Sequence, residues 1–165
     1  MLMKSESTSD NISSRIVKAK KALIEFGHGP VDVSAREFYD WMTAEIFSDD
    51  LTTLRDVLGN EYVMIHEIVE ISELKKMERK IDKHIIAETP KIHIYTAHFN
   101  AMETELQYAL FKHDTLWAKI RLRQHKESVL DDDPNLPDEL RPRAQEIYEK
   151  YHRLAKAMSD QPITI

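Results

Sequence analysis

Cysteine is absent from the 165 residues. That rules out disulfides, thiolate nucleophiles and cysteine-built zinc or iron–sulfur sites, and it fits a cytoplasmic location. Glycine occurs only at positions 27, 29 and 59. Accordingly there is no Gly-x-x-x-x-Gly-Lys loop, no Gly-x-Gly-x-x-Gly fingerprint and no Gly-x-Ser-x-Gly elbow. Positive charge is in deficit, with 23 Lys and Arg against 29 Asp and Glu and a net charge of −6. Phosphate-backbone contacts need clustered cations, so nucleic acid is not the expected partner. No apolar run approaches the roughly 20 residues that span a bilayer, so no membrane partner is expected either. Met1 to Asp10 is polar and serine-rich and lacks the apolar core of a secretion signal.

What remains is a chain whose apolar residues recur at helical spacing throughout. It predicts an all-α fold, a single-domain helical bundle of five or six helices built around a long antiparallel helix pair. The domain is expected over 11–158, with flexible tails at 1–10 and 159–165. A first helix runs from Asn11 to Phe26, burying Ile12, Ile16, Leu23 and Phe26 and stopping at Gly27. Ser34-Ala35-Arg36-Glu37 reads as a capping box opening a second helix to Phe47, with Phe38, Trp41, Met42 and Ile46 inward. A short helix ends at Gly59, and Asn60 caps a third that continues to Lys83. Thr89-Pro90 starts a fourth running to Ser128, with Leu116, Trp117 and Ile120 on its inner stripe. The basic cluster Lys119 to Lys126 reads as a solvated helix end. A last helix over 142–158 turns Ile147, Tyr151 and Leu154 inward.

Two polar intrusions interrupt this apolar pattern. Within the third helix, His66, Glu70 and Glu73 fall on one narrow stripe. Val63, Met64, Ile65, Ile68, Val69 and Ile71 cover most of the remaining circumference, which is the pattern of a helix enclosed by protein. An ionised carboxylate in such surroundings costs several kcal/mol unless it is paired, hydrogen-bonded or metal-bound. On the fourth helix His98 and Glu105 project in nearly the same direction two turns apart, with His113 close to the same stripe. If the two helices pack antiparallel, His98 or Glu105 meets His66 and Glu70. His66, Glu70, His98 and Glu105 are therefore the candidate metal ligands. Imidazole and carboxylate donors suit a divalent Zn, Fe, Mn, Ni or Co ion. Eight histidines in the chain keep that possibility open. Of the others, His28 lies in a loop between two glycines, and His84, His125 and His152 are expected to face water. The competing reading is a core histidine bonded to a backbone carbonyl, with the acids paired to Arg or Lys.

Tyr62-Val63-Met64-Ile65-His66-Glu67-Ile68-Val69-Glu70 resembles the metal-binding helix of HD-domain phosphohydrolases, an all-helical family. Its signature is several apolar residues followed by His-Asp, and one branch carries a glutamate three residues after the aspartate. The resemblance implies that His66 is a metal ligand, that Glu67 stands where the family has aspartate, and that Glu70 helps activate the attacking water. It makes Glu67 and Glu70 the candidate catalytic residues and a small phosphate ester or nucleotide the implied substrate. The family's earlier histidine and later aspartate would fall to His28 and Asp114. The functional expectation is thus a metal-binding helical protein acting as a metal-dependent phosphohydrolase. The alternative is a non-enzymatic helical interaction module, homodimeric through an exposed apolar face.

Overall fold

A computed structural model describes residues 2–46 and 52–160, with side chains from Thr8 onward. Among the described residues there are eight α-helices and no strand, six of the helices being seven residues or longer. They are α1 (Leu2–Phe26), α2 (Ala35–Met42), α3 (Leu54–Leu58), α4 (Glu61–Lys76), α5 (Ile85–Glu88), α6 (Lys91–Phe111), α7 (Thr115–His125) and α8 (Arg141–Ser159). The all-α bundle is as the spacing predicts. None of these helices is long and apolar enough to cross a membrane.

The central pair is α4 and α6. Contacts run in descending register, from Glu61 on Tyr108 through Glu73 on Asn100 to Arg79 on His93, so the pair is antiparallel. Local chemistry sets where α4 begins. The Asn60 side-chain oxygen accepts from the Tyr62 and Val63 amides at 2.9 and 3.1 Å, satisfying orphan donors of the first turn. The capping box at Ser34 also forms: the Ser34 hydroxyl accepts from the Glu37 amide, and the Glu37 carboxylate accepts from the Ser34 amide. A second box, Thr53 with Asp56, opens α3.

Several boundaries differ from expectation, for physical reasons. The stretch 1–10, expected as a tail, carries helix from Leu2. The expected end of the second helix, Phe47, lies outside the described residues, as do 161–165 of the last tail, whereas α2 itself stops at Met42. The third helix stops at Lys76, short of Lys83. There Glu78 takes a left-handed φ of 63°, and the Arg79 amide reaches back to the Leu74 carbonyl at 3.1 Å. The expected forty-residue fourth helix is two helices. His113 adopts φ 59°, the Asp114 amide donates to the Ala109 carbonyl at 2.8 Å, and the Asp114 side chain then caps α7 by accepting from the Trp117 amide. Both stops are Schellman-type turns with a non-glycine residue at the left-handed position.

That turn folds α7 back onto α6 and changes which residues are inside. Leu116 and Ile120, expected inward, are exposed at 68% and 42%, as are Ile46 and Leu154. His125, expected to face water, is buried, with Nε2 donating to the Ala144 carbonyl at 2.9 Å. The interior divides into two apolar clusters. One gathers α1 to α5 with Ile94, Ala97, Ala101 and Tyr108 of α6. The other gathers Tyr95, Phe99, Met102 and Leu106 of α6 with α7 and α8. α6 is the wall between them, and His98 and Glu105 lie along the seam.

Candidate metal centre

At the seam, α4 contributes His66 and Glu70 and α6 contributes His98. One donor atom of each lies within 4.8 Å of the others. His66 Nε2 is 3.0 Å from Glu70 Oε2 and 3.2 Å from His98 Nδ1, and His98 Nδ1 is 3.8 Å from Glu70 Oε2. Donors held about 2.0–2.1 Å from a tetrahedral divalent ion stand roughly 3.3 Å apart, so this triangle has the right scale for one cation. His66 and Glu70 are buried, and the His98 side chain is a quarter exposed, so the triangle has one edge toward solvent. Two imidazoles and a carboxylate from an antiparallel helix pair are a donor set for zinc or for iron and its neighbours.

Glu105 stands on the far side of His66. Its Oε1 lies 2.9 Å from His66 Nδ1, the nitrogen facing away from the triangle. The carboxylate is fully buried and takes two further donors: Trp117 Nε1 at 2.8 Å and Arg121 Nε at 3.0 Å. Such a carboxylate orients a metal-binding imidazole and keeps the hydrogen on the nitrogen it faces. Glu105 is thus placed to position His66 rather than to complete the triangle. Trp117 is held in turn by stacking on Tyr62 at 5.3 Å, and the Tyr62 hydroxyl donates to Asp114 at 2.8 Å.

Glu67 is not a corner of the triangle: it accepts from Trp41 Nε1 at 2.6 Å, close enough to Glu70 and His66 for their charges to act on it. Glu73, on the same stripe as His66, instead accepts from Asn100 at 3.2 Å and from Lys76. His28 is elsewhere, its Nδ1 donating to the Gly29 carbonyl, and Asp114 is engaged by Tyr62 and Trp117. His113 is exposed. The earlier histidine and later aspartate of the HD-type set therefore do not join His66, and His98 takes the third corner instead.

The electrostatics follow from burial opposed by pairing. Burial works against charge on His66, but hydrogen bonds to Glu105 and Glu70 outweigh it and lift the imidazole to about 9. Burial likewise pushes Glu70 and Glu105 up. Hydrogen bonding to His66 and the neighbouring His98 hold Glu70 down, and the Arg121 charge with His66 holds Glu105 down. Glu67 has weaker compensation: burial and the adjacent Glu70 charge raise it to about 7, against the Trp41 hydrogen bond. Burial lowers the His98 pKa.

Arg121 and Trp117 are the functional neighbours that sequence reasoning missed. Arg121 belongs to the basic cluster expected to be solvated, yet its side chain is only 19% exposed. The signal that finds it is the turn at His113 and Asp114, since an unbroken helix would carry both residues away from Glu105. No protein-family model matches the chain, and neither a curated protein nor a solved structure matches it.

Proposed function

We propose that the His66, Glu70 and His98 triangle binds a divalent transition-metal ion and that the protein is a metal-dependent hydrolase of phosphate esters. The observation that carries this is the pairing of the triangle with Glu105. A buried carboxylate is committed to the outward nitrogen of His66, leaving Nε2 directed at Glu70 and His98. The phosphate-ester class rests on the HD-like run Tyr62 to Glu70 and is an argument by family analogy.

A cation in this position would lower the pKa of a coordinated water and polarise a phosphoryl oxygen. Glu70, as ligand, is taken out of the base role that the resemblance implies for it. Glu67, raised to about 7, is the carboxylate poised to accept a proton at neutral pH. In hydrolysis the water oxygen bonds to phosphorus, the ester P–O bond breaks, Glu67 takes the proton of the water and returns it to the leaving alkoxide. Trp41 holds Glu67 in place throughout.

The test is metal analysis by mass spectrometry on untagged protein. One equivalent of metal is expected, lost in His66→Ala with the helical circular dichroism intact. A stable wild-type protein that takes up no divalent metal would overturn the reading. A second reading has an observation of its own: the same acids are fully partnered by His66 and Arg121, as a purely structural polar core requires. In that case the protein is a non-enzymatic helical module, self-associating through exposed Phe111, Leu116 and Ile120. Sedimentation would then show concentration-dependent association indifferent to chelator.

A further inference from the structure

Away from the metal triangle, α1 and the short helix α3 border a cavity of about 480 Å³. That volume suits an organic molecule rather than a lone inorganic ion. Its walls carry uncompensated positive charge. Arg15 enters from α1 and Arg55 from α3, and no acidic side chain among the described residues lines the space. Neither guanidinium has an ion pair or a hydrogen bond among the described residues. Acids close by are engaged elsewhere: Asp56 accepts from the Thr53 amide at 3.1 Å, and Glu61 from the Tyr108 hydroxyl at 2.6 Å. In a chain with 29 acidic against 23 basic residues, two unpaired arginines on one cavity call for an anion from outside. Asn11 lies one turn before Arg15 on the same face of α1 and adds an amide able to donate. Leu54 and Leu58, one turn apart on α3, give the cavity an apolar wall as well.

We infer that this cavity binds a small organic phosphate monoester, with its dianionic phosphoryl group between Arg15 and Arg55 and its organic body against Leu54 and Leu58. The two guanidiniums belong to different helices, so each presents its own planar fork. A phosphoryl dianion has oxygens enough to accept from both forks and charge enough to balance both, whereas a monocarboxylate matches one. The leucines do nothing for a bare ion, but they favour a ligand that brings apolar surface out of water. No group able to serve as a base lines the walls among the described residues, so the ester is held here and not hydrolysed. His66, Glu70 and His98 are not part of the lining, and the site is therefore separate from the triangle. It stands whether or not the triangle holds a metal. Both arginines are exposed, so salt should weaken the contact.

The test is calorimetric titration of the full-length protein at low salt, after a chelator has stripped any metal and been removed. Phenyl phosphate, at a pH where it is a dianion, is the probe. Saturable binding with a Kd of about 1 mM or tighter is expected from two charge-assisted contacts. Arg15→Gln and Arg55→Gln should each weaken it at least about fivefold. Arg153→Gln removes an exposed arginine outside the cavity, and affinity should stay within about twofold. Inorganic phosphate lacks the organic body and benzoate lacks the second charge, so both should bind more weakly than phenyl phosphate. The inference is overturned by any of four results: no saturable binding, a smaller loss in either cavity variant, an equal loss in Arg153→Gln, or inorganic phosphate or benzoate binding as tightly as the ester. Should a cavity variant fail to fold, nuclear magnetic resonance of the wild-type protein decides. Phenyl phosphate should move the Asn11 side-chain amide and the Gly59 backbone amide, both at the cavity, and leave the ring signals of His66 and His98 in place. Unmoved Asn11 and Gly59 signals refute the assignment.

Discussion

Without metal, the protein should lose stability as pH rises, which is the reverse of what paired carboxylates alone would produce. His66 is the cause. Its folded pKa, about 9, lies above the ordinary 6.5 because Glu105 and Glu70 hydrogen-bond to its two nitrogens. A base with a raised folded pKa contributes stability that is fully present below the unfolded value and disappears as pH climbs through the folded one. The window is therefore pH 6.5 to 9, and a displacement of that size corresponds to about 3 kcal/mol. Glu67 acts in the same direction in an earlier window, from 4.5 to about 7, since burial favours its neutral form. Glu70 and Glu105 have lowered pKa values, so their contribution is present above the ordinary carboxylate range and is lost only on acidification. Stability of the metal-free protein should thus peak in mild acid. The assay is urea unfolding in the presence of chelator at pH 5, 7 and 9, followed by far-ultraviolet circular dichroism. With a slope of 1–3 kcal/mol per molar urea, the His66 contribution moves the midpoint down by about 1–3 M between pH 6.5 and 9. His66→Gln should lack that arm. Zinc should abolish it in wild type, because a cation on Nε2 takes the place of the proton. A metal-free midpoint that is flat or rising from pH 6.5 to 9 would refute the pairing of His66 with the two carboxylates.

Two other perturbations probe parts of the structure that this experiment does not. Glu105→Gln leaves Arg121 partly buried without its carboxylate, so metal-free protein should lose about 3–5 kcal/mol in the same unfolding assay. In zinc competition against a chelator it should bind roughly 10- to 100-fold more weakly, and unchanged affinity would mean that Glu105 does not act through His66. Glu78→Gly and His113→Gly should each stabilise by up to about 1 kcal/mol, because glycine relieves the left-handed backbone that both residues adopt. A clear loss of stability in either variant would show that its side chain, not the turn, matters at that position.

The same two residues explain where the sequence was legible and where it was not. Asn60 and Ser34 carry their signals in the side chain: a short polar group with the right neighbours can be read as a cap, and both cap as expected. Helix ends are usually betrayed by glycine, and neither α4 nor α6 has one at its stop. Glu78 and His113 are held left-handed by the backbone bonds that the Arg79 and Asp114 amides after them donate to the Leu74 and Ala109 carbonyls, which no residue type announces. Reading through the second stop had a cost at the site. It left Arg121 in a solvated cluster, His125 in water, and Leu116 and Ile120 inside. By contrast, His66, Glu70, His98 and Glu105 were legible because charge among apolar residues on facing stripes must be compensated. The stripe could not reveal which partner compensates each acid. That depends on α7 doubling back, a tertiary event.

The position of the polar seam bears on which reading of it is stronger. α6 contributes apolar side chains to both cores, and His98 and Glu105 lie on the seam between them. Replacing a buried ion pair with apolar side chains of similar volume is often neutral or stabilising, so stability alone gives little reason to keep six ionisable groups, His66, Glu67, Glu70, His98, Glu105 and Arg121, there. The charges also balance in two different states. With His66 protonated on both nitrogens, it and Arg121 match Glu70 and Glu105, and Glu67 is neutral. With a dication in place of one His66 proton, a single positive charge is added, and ionised Glu67 cancels it. In the second state ionised Glu67 is the compensating charge, and the burial and neighbouring Glu70 charge that raise its pKa keep it neutral until such a cation is present.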